Sequence, residues 1–476
     1  MEEKYLMIWP KSKEVKHINY HFSQFGEYIT YLEERFPNKV VYRDGDINGE
    51  YGYHNDSEII ELIQKENIKK IVMHISYENA GNSKNLIEKI KEKYPNVFIM
   101  GYGTVPRLHL KLFENIPIDA LACSGHDQKS IESFLKDYKK DEDISVLKGL
   151  KVRKKRSNQF IETSSGEYIE NYEWTITPNT LASAYYEENN HVRYVINVST
   201  GCPFNCEHCL LQLTEGKIER RRTIENIDES LSMIEKDYPY IEFFAANLTL
   251  DQKYVLALCK MIREKHPNIT WGCATRIDEV TRTKSNKLLM DDADLLKIMG
   301  YSGCSLIGLG VEGITGNLNS IHTKDFAFEK TNQAIANIQE AGITAKAMIM
   351  VRIPNQTRQD IINTFYYLTK MKTFIRPTLY TPYHKIEENN ISIYDLYKYN
   401  RKKRPDDYES PVKGISNEQF DELLKNPKNY LEILNCSLEE IQAAEEITGI
   451  PYSFSNEHHK CLKLKKYHNR NIEEVN

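Results

Sequence analysis

The sequence has no apolar run long enough to cross a bilayer. Its longest apolar stretches, such as IKKIVMHI and ITAKAMIMV, are short and interrupted by lysine, whereas a spanning helix needs about 20 apolar residues. Basic residues are not in excess either, because 63 lysines and arginines face 68 aspartates and glutamates, a net charge of −5; this argues against a nucleic-acid partner. The start, MEEKYLMIWP, is acidic where a secretory signal is positively charged. We therefore expect a cytoplasmic protein without a membrane span.

Cysteine is scarce and unevenly distributed. The nine positions are Cys123, Cys202, Cys206, Cys209, Cys259, Cys273, Cys304, Cys436 and Cys461. An odd number of cysteines without an export signal disfavours a disulfide framework. Three of the nine fall within eight residues, in a CxxxCxxC array, and this cluster is the strongest functional signal in the chain.

Alternating strand and helix patterns predict an α/β fold with several units. Residues 1–140 alternate short apolar runs with amphipathic helices, as in a doubly wound, Rossmann-like parallel sheet. Residues 141–190 predict a linker with a small β-hairpin. Alternation resumes over residues 191–385 with six strand–helix units, which predict a partial (β/α)₆ barrel of the TIM type. Residues 386–476 predict a polar, helical C-terminal domain.

Several elements can be placed more closely. The barrel strands are predicted at 194–199, 240–246, 269–276, 304–311, 343–351 and 376–381, with one helix expected at 285–300. Ser416 with Gln419, and Ser437 with Glu440, have the spacing of capping boxes that begin helices.

The basic run KVRKKR in the linker is either a phosphate-binding patch or, as we favour, the solvated face of a strand.

The cysteine array lies in STGCPFNCEHCLLQ, directly after the first barrel strand. Chance would produce this spacing in roughly 0.003 of chains with this cysteine content. A structural zinc ion takes four protein ligands, whereas an iron–sulfur cluster held by three cysteines leaves one iron open to a substrate. His208 as a fourth ligand and a structural zinc knuckle are the alternatives. Cys259, Cys273 and Cys304 lie in apolar patterns, where buried thiols are expected.

With this array at the start of a partial barrel, residues 191–385 resemble the radical S-adenosylmethionine (SAM) superfamily. The resemblance implies that Cys202, Cys206 and Cys209 hold a [4Fe–4S] cluster. ITWGCATRID, GCSLIGLGVEG, AMIMVRIPNQT and TLYTPY resemble the third to sixth strands of that family.

The same resemblance implies which residues contact SAM. They are Arg276 at the end of the third strand, and Gly310 and Glu312 in the fourth. On the second strand, FFAANLTLD has Ala245–Ala246 where the superfamily has Gly-Gly-Glu, which leaves Asn247 as the polar candidate.

A doubly wound domain before the barrel resembles the cobalamin-binding subclass of this superfamily. The resemblance implies that Ser76 and Tyr77 approach the corrin or its tail. It also implies that Gly101, Gly103 and Thr104, in MGYGTVP, lie along the nucleotide tail. No DxHxxG motif marks a histidine as a lower cobalt ligand, and a domain that has lost cobalamin and only supports the barrel is the alternative.

The resemblance implies a cobalamin-dependent radical SAM methyltransferase. Such an enzyme methylates an unactivated carbon through a 5′-deoxyadenosyl radical and methylcobalamin. It would act on a small molecule or a peptide and take its electron from a flavodoxin- or ferredoxin-type donor. A radical SAM cyclase or rearrangement enzyme, with cobalamin accessory or absent, is the main alternative.

Two further classes are disfavoured. A methylthiotransferase needs a second cysteine triplet in its N-terminal domain, and only Cys123 precedes Cys202. An iron–sulfur electron carrier holds its cluster with four cysteines. A non-catalytic binding scaffold is the remaining possibility from another class.

Overall fold

Two β-sheets organise the computed structural model. The structure describes residues 3–13, 18–139, 144–154, 159–170, 194–206, 208–234, 240–314, 328–381, 383, 386, 390–399 and 412–452. Within these ranges one sheet has seven strands and the other has six. Most of the second half of the predicted linker, and the last 24 residues of the predicted C-terminal domain, lie outside the described residues.

The first sheet has the strand order β2-β1-β3-β4-β5-β6-β7, and its first five strands are parallel. Its strands are β1 Lys4–Trp9, β2 Val40–Asp44, β3 Ile68–His74, β4 Phe98–Tyr102, β5 Ala120–Ala122, β6 Leu150–Arg153 and β7 Phe160–Glu162. Its helices are α1 Ile18–Arg35, α2 Asp56–Lys65, α3 Ala80–Lys93, α4 Thr104–Leu108 and α5 Asp127–Asp137. From β1 the chain first adds β2 on one side and then β3 on the other side, so the strand order reverses between β1 and β3. Ligands of doubly wound folds bind at the carboxyl ends of the strands near such a reversal.

Both faces of this sheet are covered by apolar helix faces. The inner strand β3 is buried at every position except Lys69, as expected of a parallel strand with helices on both sides. Helices α1 and α5 pack on one face, and α2 and α3 pack on the other. The first of these apolar cores continues without a break into the barrel.

The predicted hairpin of the linker extends the first sheet. Strands β6 and β7 pair antiparallel with each other, and β6 pairs antiparallel with β5. Arg153, within the basic run, donates to the backbone carbonyls of Phe113, Glu114, Ile116 and Ile118 at 2.7–3.0 Å. Its guanidinium therefore fastens the hairpin to the loop before β5. The last two residues of the basic run lie outside the described residues.

The second sheet has the order β15-β14-β13-β12-β11-β8, and all of its strands are parallel. Its strands are β8 Tyr194–Asn197, β11 Tyr240–Phe244, β12 Thr270–Arg276, β13 Cys304–Glu312, β14 Thr344–Val351 and β15 Phe374–Leu379. A short pair, β9 Ser199–Thr200 and β10 Arg220–Arg221, lies between β8 and β11. Each barrel strand pairs with the next one in the chain, so the sheet winds in one direction, as in the predicted open barrel.

Helices connect the barrel strands. They are α6 Leu211–Glu215, α7 Ile224–Ile234, α8 Gln252–Lys265, α9 Asp292–Tyr301, α10 Phe328–Glu340 and α11 Arg358–Lys370. Helix α9 begins seven residues later than the predicted 285. The cause is Asp292, which is fully buried and accepts hydrogen bonds from Arg282 and Gln252, so the chain before it is held as a turn.

After the barrel, residues 390–399, here called the return segment, pack on the first sheet's helix α3. Ile391, Ile393 and Leu396 are buried in the core that lies under α2 and α3. On the outside, Lys84 Nζ donates to Tyr394 Oη at 2.9 Å.

Among the described residues 412–452, the helices are α12 Asn417–Lys425, α13 Tyr430–Ile433 and α14 Leu438–Thr448. Both predicted capping boxes, at Ser416 and Ser437, are confirmed. Short 3₁₀ turns occur at Leu110–Phe113, Ile144–Val146, Leu248–Leu250, Ile277–Glu279, Leu396–Lys398 and Pro427–Asn429. In the described part of the chain, no helix has the length and apolar content to cross a membrane.

Replacing Arg153 with alanine should destabilise the first sheet. The substitution removes one donor from four backbone carbonyls, of which those of Phe113 and Ile116 keep a backbone N–H, and we expect a loss of about 2–3 kcal/mol in the free energy of unfolding. Thermal unfolding followed by circular dichroism would measure it. Lys154→Ala, at an exposed neighbouring position, is the matched control and should change the midpoint little; equal midpoints for the two variants would contradict the role given to Arg153.

Candidate active site at the junction of the two sheets

The cysteine loop runs from Gly201 to Leu210, directly after β9. The N–H of Cys209 donates to the carbonyl of Cys206 at 3.0 Å, and the N–H of Cys202 donates to the carbonyl of Gly216 at 3.1 Å. The loop therefore closes on itself, with its first cysteine beside the end of α6. All three cysteines are partly exposed.

The donor set of this loop fits an iron–sulfur cluster better than a structural zinc ion. Among the residues that the structure describes, no three Cys, His, Asp or Glu side chains are gathered at metal-binding distances. The imidazole of His208, the alternative fourth ligand, lies with Nε2 4.0 Å from Glu312 Oε1, at the end of β13. Three thiols on one loop are the set that leaves one iron of a cluster open.

Gly201 fixes where this loop begins. Its φ is +78°, and a Cβ there would lie 2.1 Å from the carbonyl oxygen of Ile218, so only glycine fits. Its N–H donates to Glu215 Oε2 at 3.0 Å. Burial raises the pKa of Glu215 to about 7. Sequence reasoning missed Glu215, because no spacing pattern distinguishes a glutamate that points inward at the end of a short helix.

Arg276, at the end of β12, reaches the cysteine loop. Its Nη1 lies 3.7 Å from Cys206 Sγ, and its guanidinium lies 3.7 Å from the centre of the Phe204 ring. Asp278 accepts two hydrogen bonds from it, at 2.9 and 2.7 Å. This bidentate pair holds the cation in place, so one predicted SAM contact lies directly beside a predicted cluster ligand.

Asn247 has a fixed amide orientation. Its Oδ1 accepts from the backbone N–H of Arg276 at 3.3 Å and from Thr275 Oγ1 at 2.7 Å. Because a backbone N–H can only donate, the oxygen must face β12 and the amide nitrogen must face away. That nitrogen is buried and has no hydrogen-bond partner among the described residues. The site therefore contains a buried N–H₂ group that lacks an acceptor.

Glu312, at the end of β13, adopts a left-handed backbone conformation with φ +61°. Its neighbour at the end of β14, Arg352, does the same with φ +63°. Left-handed backbone in residues other than glycine is uncommon and collects at functional sites. The pairing register also shifts between Gly310 and Glu312, so the Glu312 side chain leaves the regular strand pattern where it faces His208.

Four of the five residues predicted to contact cobalamin lie at the carboxyl ends of β3 and β4. The Ser76 N–H donates to Asn79 Oδ1 at 2.9 Å, and Tyr77 Oη lies 2.5 Å from His109 Nε2. Gly103 has φ +101°, and Thr104 begins α4. These residues share one edge of the sheet, next to the stacked rings of Trp9 and His74, whose centres are 3.4 Å apart.

Gly101 is placed differently. It lies inside β4, where a Cβ would be within 2.9–3.1 Å of the side chains of Ile75, Ile118 and Leu121. The glycine is therefore explained by close packing in the apolar core, away from the sheet edge at which the resemblance puts a ligand.

Polar contacts join the first sheet to the barrel beside the cysteine loop. The Ile169 N–H donates to His126 Nδ1 at 3.0 Å, so the proton is on Nε2, which lies 3.3 Å from Thr200 Oγ1. Burial, the largest cause, lowers the pKa of His126 to about 3, so the ring is neutral. A residue at the start of α5 thus contacts the chain two residues before Cys202. Sequence reasoning missed it, because the contact depends on how the two sheets pack.

A second contact crosses the same junction. Glu27 of α1 accepts from Asn197 Nδ2 at 2.7 Å and from Arg222 Nη2 at 3.0 Å. Burial raises the pKa of Glu27, and the charge of Arg222 opposes that rise. Two buried polar contacts therefore join the units: Glu27 links α1 to the barrel, and His126, after β5, meets Thr200 just before the cysteine loop.

Comparison with known proteins gives a family match for part of the chain. Residues 196–368 match the radical SAM superfamily. An uncharacterized methyltransferase of Pyrococcus horikoshii is 24% identical over 369 residues, which cover 74% of each chain. An anaerobic magnesium-protoporphyrin IX monomethyl ester cyclase of Cereibacter sphaeroides is 23% identical over 327 residues, covering 65% of this chain and 51% of the cyclase.

Two solved structures share the fold. TsrM from Kitasatospora setae, a radical SAM methyltransferase with cobalamin and a [4Fe–4S] cluster bound, has a TM-score of 0.62 at 14% identity and covers 82% of this chain and 78% of its own. OxsB, a cobalamin-dependent SAM radical enzyme, has a TM-score of 0.66 at 12% identity and covers 96% of this chain and 63% of its own. At such identities the likeness concerns the fold, and the predicted fold class is confirmed.

Replacing Glu215 with alanine should impair cluster loading. The substitution leaves the Gly201 N–H without its acceptor, at a cost of about 1–3 kcal/mol, and loosens the start of the loop. Glu215→Gln is the matched control, because an amide oxygen can still accept from that N–H. Iron per chain after anaerobic reconstitution should fall for alanine and stay near the unmodified value for glutamine. Full loading of the alanine variant would contradict the role of this carboxyl group.

Proposed function

We propose that this chain is a cobalamin-dependent radical SAM methyltransferase acting on an unactivated carbon, and the match of residues 196–368 to the radical SAM superfamily supports the enzyme class. One observation carries the proposal: His126, at the carboxyl edge of the first sheet, contacts Thr200 at the base of the cysteine loop. A cofactor at that edge would face a cluster in the loop. Similarity to the Pyrococcus horikoshii methyltransferase and to the methyltransferase TsrM supports methyl transfer.

The proposed cofactors are a [4Fe–4S] cluster, SAM and cobalamin. When bound, they would supply a one-electron cleavage of a sulfonium, hydrogen abstraction from carbon and a transferable methyl group. In this proposal the protein holds and orients these groups and keeps water from them. Cys202, Cys206 and Cys209 hold the cluster, and the backbone bonds around Gly201 set where the loop starts.

Asn247 and Arg276 form the SAM-binding side of the proposed site. The buried N–H₂ of Asn247 needs an acceptor, and the carboxylate of the methionine moiety or a ribose hydroxyl would provide one. Arg276, held by Asp278, places a positive charge beside the Cys206 thiol that would hold the cluster. Gly310 and Glu312 border the same space, with Glu312 as an acceptor for an amine or a hydroxyl.

The carboxyl edge of the first sheet is the proposed cobalamin side. Ser76, Tyr77, Gly103 and Thr104 lie there, and the close approach of Gly103 to the His74 ring, 3.0 Å from a Cβ position to Nε2, leaves no room for a side chain. Gly101 is not part of this surface, because it is packed inside the apolar core.

Radical SAM chemistry also requires a substrate and an electron donor. We propose a small molecule or a peptide as substrate, and a flavodoxin- or ferredoxin-type protein as the electron donor. A thiolate-held cluster with an open iron favours a reducing, cytoplasmic setting.

A cyclase or rearrangement enzyme is the second candidate. The match to the Cereibacter sphaeroides cyclase favours it, although that match spans about half of the cyclase. In this case the same radical chemistry would close or rearrange a ring, with cobalamin accessory or absent.

The cofactor content of Cys206→Ala tests the proposed function. Protein purified without oxygen from cobalamin-fed cells should carry about four irons and about one cobalamin per chain, and should cleave SAM under strong reduction. Cys206→Ala should lose iron and SAM cleavage, because one of the three proposed cluster ligands is removed. It should keep cobalamin, because the first sheet is untouched.

Cys436→Ala is the matched control, because Cys436 lies after α13, among the C-terminal helices. This variant should contain as much iron as the unmodified protein. A Cys206→Ala variant with full iron would refute the cluster assignment. SAM cleavage by the unmodified chain without any bound cobalamin would favour the cyclase or rearrangement enzyme over methyl transfer.

Asn247→Asp separates the donor role of Asn247 from its structural role. Aspartate keeps an oxygen for the Arg276 N–H and replaces the N–H₂ by a second oxygen, which repels a carboxylate. We expect the affinity for SAM, measured by equilibrium dialysis with the reconstituted enzyme, to fall at least about tenfold. Iron content and the unfolding midpoint should stay near those of the unmodified protein. Unchanged SAM affinity would remove Asn247 from the site.

A further inference from the structure

Two buried hydrogen-bond donors near the end of β4 have no partner in the described residues. One is the hydroxyl of Tyr102, a residue with 0% exposure at the last position of β4. The other is Nη1 of Arg107 in α4, whose side chain is 3% exposed. Buried polar groups are nearly always hydrogen-bonded, so two such groups close together in the chain require an explanation.

The rest of the Arg107 guanidinium is fully engaged. Its Nε and Nη2 donate to Asp127 Oδ1 at 3.1 and 2.5 Å, and Nη2 also donates to the carbonyl of Gly125 at 2.7 Å. This arrangement fixes the plane of the guanidinium, so that Nη1 cannot turn to find another acceptor.

The Tyr102 ring is held just as firmly. It packs against the rings of Tyr28 and His74, with centres 5.2 and 5.3 Å apart. Burial, followed by the negative charge of Asp127, raises the pKa of Tyr102 well above its usual value. The hydroxyl therefore keeps its proton, and an arginine is always charged, so both groups remain donors at any physiological pH.

Both donors lie on the side of the first sheet that meets the barrel. Tyr28 adjoins Glu27, which binds Arg222 of the barrel, and Asp127 adjoins His126, which contacts Thr200. Tyr102 directly precedes Gly103, and Arg107 follows Thr104 by three residues. The unpaired donors thus border the edge that the proposed function assigns to cobalamin.

We infer that Tyr102 Oη and Arg107 Nη1 bind acceptor oxygens on the rim of a corrinoid. A corrinoid carries carboxamide side chains and a phosphodiester, and both classes of oxygen accept from a neutral hydroxyl and from a guanidinium. The inference rests on the proposed function, and it adds two binding residues that no sequence motif marks. It also explains why the donors are unpaired in the chain alone.

Tyr102→Phe tests the inference through two readouts. Removing an unpaired buried hydroxyl costs the free protein nothing, so its thermal midpoint without cobalamin should stay the same or rise. The dissociation constant for hydroxocobalamin, measured with the full chain by absorbance titration, should rise about five- to tenfold. A lower midpoint with unchanged affinity would be the behaviour of a purely structural tyrosine.

Tyr42→Phe is the matched control. Tyr42 lies in the same apolar core, and its hydroxyl donates to the carbonyl of Ile29, so its loss should lower the midpoint and leave cobalamin affinity unchanged. Arg107→Lys is the second test variant: it keeps a cation beside Asp127, removes the Nη1 donor, and should also weaken binding.

The outcomes separate the inference from the proposed function. If the unmodified chain binds no hydroxocobalamin, the cobalamin part of the proposed function fails, and this inference fails with it. If the unmodified chain binds, and both Tyr102→Phe and Arg107→Lys bind equally tightly, only the inference is overturned, and buried water is then the partner of the two donors.

Discussion

The arrangement of the two sheets depends on the hydrogen bonds that the buried carboxylate of Glu27 accepts. It belongs to α1, which covers the first sheet, and it accepts from Asn197 and Arg222 of the barrel. Breaking a buried ion pair by removing one partner costs about 3–5 kcal/mol. A displacement of α1 from β8 that separates Glu27 from Asn197 and Arg222 would therefore be costly.

This constraint decides where chemistry can occur. With α1 packed against β8, the chain after β5 meets the chain after β8 at His126 and Thr200, next to the cysteine loop. Polar groups follow the same geometry: His126, Glu215 and the Arg107–Asp127 pair all lie along this junction. Elsewhere one apolar core runs continuously from the first sheet into the barrel. This shared core packs the two sheets together on either side of the proposed site.

Sequence patterns predicted the features that local physics controls. Apolar runs and capping boxes depend on neighbouring residues, so β12, β13 and the helix start at Ser437 were found within a residue or two. The cysteine spacing is equally local. The roles of Glu215 at the cysteine loop and of Asp292 at the start of α9 could not be predicted from the sequence, because both depend on distant segments that pack around them. Gly101 shows a further limit of prediction from sequence: a glycine required by close packing cannot be distinguished there from a glycine required by a ligand.

The return segment has a consequence for synthesis of the protein on the ribosome. The apolar surface on α3 is covered by Ile391, Ile393 and Leu396, which leave the ribosome roughly 300 residues after that helix, or about 15–60 s later at usual elongation rates. During that interval the strands and helices of the first sheet have all been synthesised, but the face of α3 is uncovered. The nascent chain therefore exposes an apolar surface, of the kind that holding chaperones bind, for the whole time in which its barrel is made.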